Sequence, residues 1–544
     1  MSSRRNWLVL AALLAAAALV LALLRWRGFK ATSTPTRFEA HIARSLRNFA
    51  IPAREANRSN PFSRDEHARA AGQQYFFSHC ALCHGVDGRG GTAIGGNEYP
   101  RVPDLHGAPT QHLTDGELHY LIENGVQLSG MPALPGPPAA TDRTGWQLVT
   151  FLRGLTSTPP PAAALVSAHY VGSAACRSCH ADIYDRWQKT PMANVVRDPK
   201  QYPHAVIPDL ATNTVAPFAL SQVALVYGSR WKQRYFTRIG DDYYPLPAQW
   251  DIGTHQWLPY HVPDKGADWW AASYPSANLQ RPTGPTCDGC HSVAYDIQTH
   301  RPAEWNVGCE RCHGPGSDHA AHPTPNNILN PASLDDVASD DTCIQCHSQG
   351  RPRTPVINGR AYDWPVGYQV GLRLVDFWSL DSSSYGQSDF LYFSDGTAHK
   401  NRMQGNDFVQ SLMYRRGVTC ATCHDVHGTD NIAQLRLPPQ QLCLSCHGPN
   451  SPNGPHAATI ADHTHHADGS PGSQCIACHM PKIETQGVPG AFVSAHTFRF
   501  IPPAWTDKYK IPNPCTTCHA GQSTAWANQA LLHWSASSPW RVVQ

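Results

Sequence analysis

The sequence predicts a mainly α fold with much irregular structure, split into two modules, with one small antiparallel β insert and one N-terminal transmembrane helix. Three observations predict it. Helical periodicity comes only in short runs, and 46 prolines and 41 glycines interrupt 544 residues, so loops are plentiful. A single long apolar run, Trp7 to Leu24, stands at the start of the chain. Strand character is concentrated near residues 218–262.

Residues 1–30 are predicted to be a membrane anchor. As a helix, the apolar run spans about 27 Å, just short of a ~30 Å hydrocarbon core. Arg25, Arg27 and Lys30 follow it in place of a small-residue cleavage site, which favours an uncleaved anchor over a cleaved signal. Residues 31–64 read as a linker.

Residues 65–156 form the first module. Ser63 and Glu66 have the spacing of a capping box ahead of a helix that runs into Cys80. Leu148, Phe151, Leu152 and Leu155 recur with helical spacing and predict a closing helix. Met131 lies between them in the loop "SGMPALPG", and His67, His79, His106, His112 and His119 read as surface or loop histidines. Residues 157–168 are a Pro/Ala linker, stiff and extended.

The second module covers 169–534. Its insert, about 218–262, contains "VALVY", "KQRYFTRIG" and "YYPLPAQW", broken at Gly240-Asp241-Asp242, and predicts a small sheet with one hairpin. Its expected role is to cover flat surfaces with Tyr and Trp. Motif spacing suggests a duplicated three-motif unit, about 287–350 and 420–482.

Those motifs carry the chemistry. All 18 cysteines fall into nine C-x-x-C pairs, each followed by histidine. They are Cys80, Cys83 and His84; Cys176, Cys179 and His180; Cys287, Cys290 and His291; Cys309, Cys312 and His313; Cys343, Cys346 and His347; Cys420, Cys423 and His424; Cys443, Cys446 and His447; Cys475, Cys478 and His479; and Cys515, Cys518 and His519. Two thiols one helical turn apart reach the two vinyl groups of a haem, and the next imidazole reaches its iron. Zinc ribbons need the cysteine pair but place no demand on the following residue. With 30 histidines in 544 residues, nine successes by chance have a probability on the order of 10⁻¹². The expected cofactors are nine covalently bound haem c, with these nine histidines as proximal ligands. Covalent attachment takes place outside the bacterial cytoplasm, so the chain after Lys30 is expected on the periplasmic side of the inner membrane.

Distal ligands are drawn from what remains. Outside the motifs, residues 169–544 hold 15 His and four Met, which points to bis-His ligation. The candidates are His319, His399, His427, His456, His463, His466 and His496. His427 lies too close in sequence to His424 to reach the other face of the same porphyrin, so it is expected on a neighbouring haem. The 176–180 motif has the weakest distal candidate, Met192.

The first module, including "CHGVDGRG", resembles class I monohaem cytochrome c, which implies a helical domain with His84 as proximal and Met131 as distal ligand. "YVGSAACRSCHADIYDRWQKTPM", "CERCHGPGSDH" and "CHDVHG" are similar to the multihaem cytochromes that include the tetrahaem cytochrome of ammonia oxidisers, hydroxylamine oxidoreductase and the pentahaem nitrite reductases. This resemblance implies a haem-packed domain over most of 169–530. Thr190-Pro191-Met192 stands where many relatives place a histidine, and no motif ends in lysine.

A charged fraction of 15% and a net charge of +2 exclude a polybasic nucleic-acid binder. The expected function is periplasmic electron transfer between the multihaem domain and the monohaem head, with periplasmic or membrane redox proteins as partners. The alternatives are an oxidoreductase acting on a small nitrogen or sulfur compound at an open iron, and a relay subunit inside a complex.

Overall fold

The computed structural model describes Trp7, Arg25 and residues 35–85, 88–90, 98–155, 168–208, 218–260, 281–325, 327–383, 385–448, 451, 457–485 and 490–534. Apart from Trp7, the apolar run 7–24 lies outside the described residues, as do most of the Pro/Ala linker and His456. Among the described residues, no helix is long and apolar enough to cross a membrane. The chain divides into two compact units, Met1–Thr158 and Pro159–Gln544.

The first unit is helical. Helix α1, Arg37–Ala50, opens with a capping box between Thr36 and Glu39, so the stretch expected to be a plain linker contains four turns of helix. Helix α2, Glu66–Tyr75, is capped by Asp65, whose carboxylate accepts from the N–H groups of His67 and Ala68. The predicted Ser63–Glu66 box does not form. A carboxylate next to the first turn offers charge-assisted bonds to two orphan donors, and these outcompete a neutral hydroxyl two residues earlier. Helix α3, Asp115–Asn124, carries a second capping box, Thr114 with Glu117.

Helix α4, Pro138–Gly154, closes the unit and buries Trp146, Leu148, Val149, Phe151 and Leu152 against Phe76, Leu118 and Leu121. Helices α2 and α4 approach closely at Gly72, where an added Cβ would stand 2.0 Å from the Gln147 carbonyl oxygen. His119 is not a surface residue. It is 1% exposed, stacks on Trp146 at 4.0 Å, and its Nε2 bonds the Asp142 carbonyl at 2.9 Å. Glu117, Tyr120 and Glu123 make the stretch "DGELHYLIEN" read as polar, yet Leu118, Leu121 and Ile122 of the same helix are buried with His119.

The second unit combines short helices, long loops and small antiparallel sheets. The largest sheet has five strands in sequential order: β1 Val196–Arg197, β2 Leu225–Tyr227, β3 Lys232–Ile239, β4 Asp242–Asp251 and β5 Gln256–Pro259. The β3–β4 hairpin turns at Gly240, which takes φ +63°, and a register shift between Arg234 and Phe236 marks an irregularity in β3. Side chains alternate across the sheet. Tyr235 and Val226 therefore join Phe218 and Leu246 on one face, while Phe236, Leu225 and Tyr227 pack with Val196, Cys287 and Trp305 on the other. The sheet thus lays aromatic surface on the 287–291 motif.

Candidate functional site

Each attachment motif starts or ends on a short helical turn, such as Ser173–Cys176, Glu310–His313, Asp336–Ile344, Cys420–Cys423, Pro439–His447, Cys475–His479 and Pro514–Cys518. Cysteines three apart therefore share one helix face. All 18 cysteines are free thiols, so disulfides do not compete for them.

Among the described residues, four motif histidines are seen to face a second imidazole. His180 stands opposite His319 at 6.4 Å between ring centres, with 15° between the planes. His313 stands opposite His427 at 6.1 Å and 20°, and His479 opposite His463 at 6.3 Å and 8°. His519 and His466 are 6.1 Å apart at 33°. An imidazole nitrogen lies about 2 Å from a first-row metal and the ring centre about 1.1 Å beyond, so two rings trans across one iron have centres about 6.2 Å apart. A tetrahedral zinc would bring them to about 5.1 Å. The spacing fits trans ligation of a single iron.

The rings are also oriented for it. Nδ1 of His313 donates to the Leu329 carbonyl at 2.7 Å, that of His479 to Phe498 at 3.3 Å, and that of His466 to Thr464. His319 Nδ1 donates to the Thr324 carbonyl and to Asn327 Oδ1, and His427 Nδ1 to Asp425 Oδ1 at 3.1 Å. A carbonyl or carboxylate can only accept, so the proton sits on Nδ1 and Nε2 keeps its lone pair for a metal. Burial lowers the pKa of His84, His313, His424, His463 and His479, and pushes His291 and His496 down to about 4. Neutral imidazole is the form that binds iron.

The other candidates are placed as follows. His496 is oriented like the paired rings, with Nδ1 on the Ser494 carbonyl at 2.8 Å, and lies near His424 and His347. His399 differs. It is 5% exposed, packs on Phe393 at 4.3 Å, and places Nε2 on the Asp389 carbonyl at 2.7 Å, so the nitrogen that the other rings leave free is occupied. Its Nδ1 is buried without a hydrogen-bond partner, so a metal could be met there only through Nδ1 and not through Nε2. Met131 packs against the core of the first unit. Met192 opens a turn whose carbonyl accepts from Val307, and the ring opposite His180 is His319. His465, between two paired histidines, takes a left-handed backbone and stacks on Trp534 at 4.6 Å.

Sequence reasoning missed the residues that orient these rings, Asn327 and Asp425 among them. It also missed Arg402, which reaches Cys290 Sγ at 3.9 Å, and Arg311, which reaches Cys346 Sγ at 4.0 Å. Arg311 lies inside its own motif, and an arginine between two attachment cysteines was the available signal.

Residues 67–152 match the family model for cytochrome C oxidase, cbb3-type, subunit III. Residues 266–314 match cytochrome c554 and c-prime, and 414–452 match the doubled CXXCH motif. No curated protein matches the chain in sequence. Among solved structures, the outer cell wall cytochrome OcwA is 22% identical with a TM-score of 0.55, covering 67% of this chain and 86% of its own. An undecaheme cytochrome from the S-layer of Carboxydothermus ferrireducens is 17% identical with a TM-score of 0.38, covering 88% of this chain and 76% of its own. The cytochrome c matches, the C-x-x-C-H motifs and the OcwA-like fold define a multihaem c-type cytochrome. Its cofactor is covalently bound c-type haem, and its class of function is electron transfer.

Proposed function

We propose that the chain carries nine haem c and relays electrons between the large unit and the monohaem unit on the periplasmic face of the inner membrane. The observation that carries this reading is the set of four imidazole pairs spaced for one iron each. Cysteine pairs would hold the porphyrins through thioethers, with the following histidine on the iron. His319, His427, His463 and His466 would be the distal ligands of the motifs ending at His180, His313, His479 and His519. Met131 would be the distal ligand in the first unit. Bound haem supplies reversible one-electron exchange between ferric and ferrous iron.

The chain's own contribution is to fix the tautomer of the rings whose Nδ1 meets an acceptor and, at His313, His463 and His479, to favour the neutral form by burial. Residues 7–24 would tether the protein, and its partners would be periplasmic or membrane redox proteins. The test is expression with and without a c-haem maturation system. Nine added haem masses and low-spin EPR signals are expected with it, and zinc or an empty motif in the matured protein overturns the count.

A further inference from the structure

Three attachment motifs have the start of their helix held by a side chain that belongs to a different motif. The Cys309 N–H donates to Ser173 Oγ at 2.9 Å, the Cys420 N–H to Asp340 Oδ1 at 2.8 Å, and the Cys475 N–H to Gln440 Oε1 at 2.9 Å. Ser173, Asp340 and Gln440 each stand three residues before the first cysteine of their own motif, at Cys176, Cys343 and Cys443. One offset thus recurs with three different acceptor chemistries.

The geometry explains the offset. On a helix, the residue three before a cysteine lies one turn ahead on the same face. The first cysteine of the partner motif sits at a helix start, where N–H groups lack intrahelical acceptors. An acceptor at that offset therefore satisfies the partner's orphan donor and sets the two first cysteines side by side. The thiols of Cys176 and Cys309, of Cys343 and Cys420, and of Cys443 and Cys475 are neighbours in the same three combinations.

The bonds are sheltered. Ser173 is 0% and Asp340 1% exposed. Ser173 Oγ is itself oriented by donating to Glu304 Oε2 at 2.7 Å, and Gln440 Nε2 donates to the Ser473 carbonyl at 3.2 Å. The receiving motifs have no matching acceptor at that offset, where Gly417 and Gly472 stand before Cys420 and Cys475. Asn306, before Cys309, is occupied by the Val196 N–H at 2.6 Å. Each pair therefore has one clamping and one clamped member.

We propose that Ser173, Asp340 and Gln440 are positioning residues that dock the attachment motifs in three pairs, 176 with 309, 343 with 420, and 443 with 475. The proposal rests on the haem reading above and adds a spatial order to it. Two further joins are geometric. Arg311 of the 309 motif reaches Cys346 Sγ at 4.0 Å, and the helices Cys475–His479 and Pro514–Cys518 pack together. The 176/309 pair therefore adjoins the 343/420 pair, and the 515 motif adjoins the 443/475 pair. The 287 motif branches from the 343 motif, where Cys290 Sγ and Cys346 Sγ each meet the other motif's backbone carbonyls at 3.9 Å.

The test uses the matured full chain. Asp340→Leu removes the acceptor at similar volume, and Asp340→Asn keeps an oxygen in its place. Haem mass and low-spin EPR count are measured first, because a deficit in the wild type itself would refute the haem reading and leave the clamp geometry aside as a packing feature. With nine haems present, Soret circular dichroism reads exciton coupling between paired porphyrins. Asp340→Leu is expected to lose one of three pair contributions, and Asp340→Asn to retain it. An unchanged couplet in Asp340→Leu, or equal loss in both variants, overturns the proposal. Should Asp340→Leu fail to mature, the half-buried Gln440→Met and its control Gln440→Glu read the 443/475 pair by the same criteria.

Discussion

His427 follows His424 by three residues, yet its ring faces His313, 6.1 Å away. The segment "CHDVHG" therefore serves two sockets at once. Arg186 anchors it from a third motif's helix, donating to Asp425 Oδ2 at 3.1 Å and to the Gly428 carbonyl at 2.7 Å.

Removing that ring should separate the two sockets. His427→Ala is expected to leave the haem on Cys420 and Cys423 attached and low-spin, and to turn the iron at His313 high-spin. EPR of the oxidised protein reads both. Loss of the low-spin signal from the His424 iron instead would show that His427 serves its own motif.

His399 and His496 should behave oppositely. His496→Ala is expected to produce a high-spin iron, because Nε2 is free and the ring is buried. His399→Ala should leave the spin state unchanged and destabilise the fold by about 1–3 kcal/mol through its lost buried hydrogen bond. A new high-spin signal in His399→Ala would reverse this assignment.

The Asp341 carboxyl gives a pH dependence. Burial pushes it up to about 7, so between about pH 4 and 7 the folded chain holds a proton that the unfolded chain has released. Its stabilisation is complete below about pH 4 and is lost as pH rises through 7, to an upper bound of about 4 kcal/mol. Asp341→Asn keeps an oxygen for the Leu374 N–H, bonded at 2.9 Å in the wild type, without a charge to bury. Its melting temperature should exceed wild type at pH 8 and match it at pH 4. Parallel curves for the two proteins would contradict the buried-acid account.

Ligand type gives a direction to the relay. Thioether ligation raises a haem potential relative to bis-His, so a Met131-ligated haem should be the most oxidising. Electrons would then run from the large unit into the first. In a redox titration, Met131→His should abolish one high-potential component and leave the others in place. If the highest component survives the substitution, the direction has no basis.

Charge bears on partners. Each ferric haem c adds about −1, so nine would take the formal +2 to about −7 and favour partners with basic docking patches. Stopped-flow association should slow as salt rises. Rates that ignore salt would exclude electrostatic docking.

How far the sequence carried these conclusions depended on whether a feature was local. The attachment motifs were fully legible because thioether chemistry demands fixed spacing. His319, His427, His463 and His466 were identifiable as candidates, but their partners were not, since pairing joins segments far apart in the chain. The Asp65 cap and the helix under the supposed linker were missed because several nearby polar side chains competed for one helix start. His399 was legible as a candidate, but its tautomer, with Nε2 on the Asp389 carbonyl, was not. The clamp positions were invisible, because Ser, Asp and Gln share an offset and an acceptor atom but no residue identity.

The clamped pairs also impose a timetable on biogenesis. Among the described residues, the buried apolar clusters of the large unit hold two to seven residues each, so bound porphyrins would supply much of the apolar surface between them. Partner motifs lie 32 residues apart for 443/475, 77 for 343/420 and 133 for 176/309. Loop closure costs about 1.3 kcal/mol more for the longest separation than for the shortest. The first motif of the large unit to emerge during export therefore has the longest wait, half built, while 133 further residues are delivered.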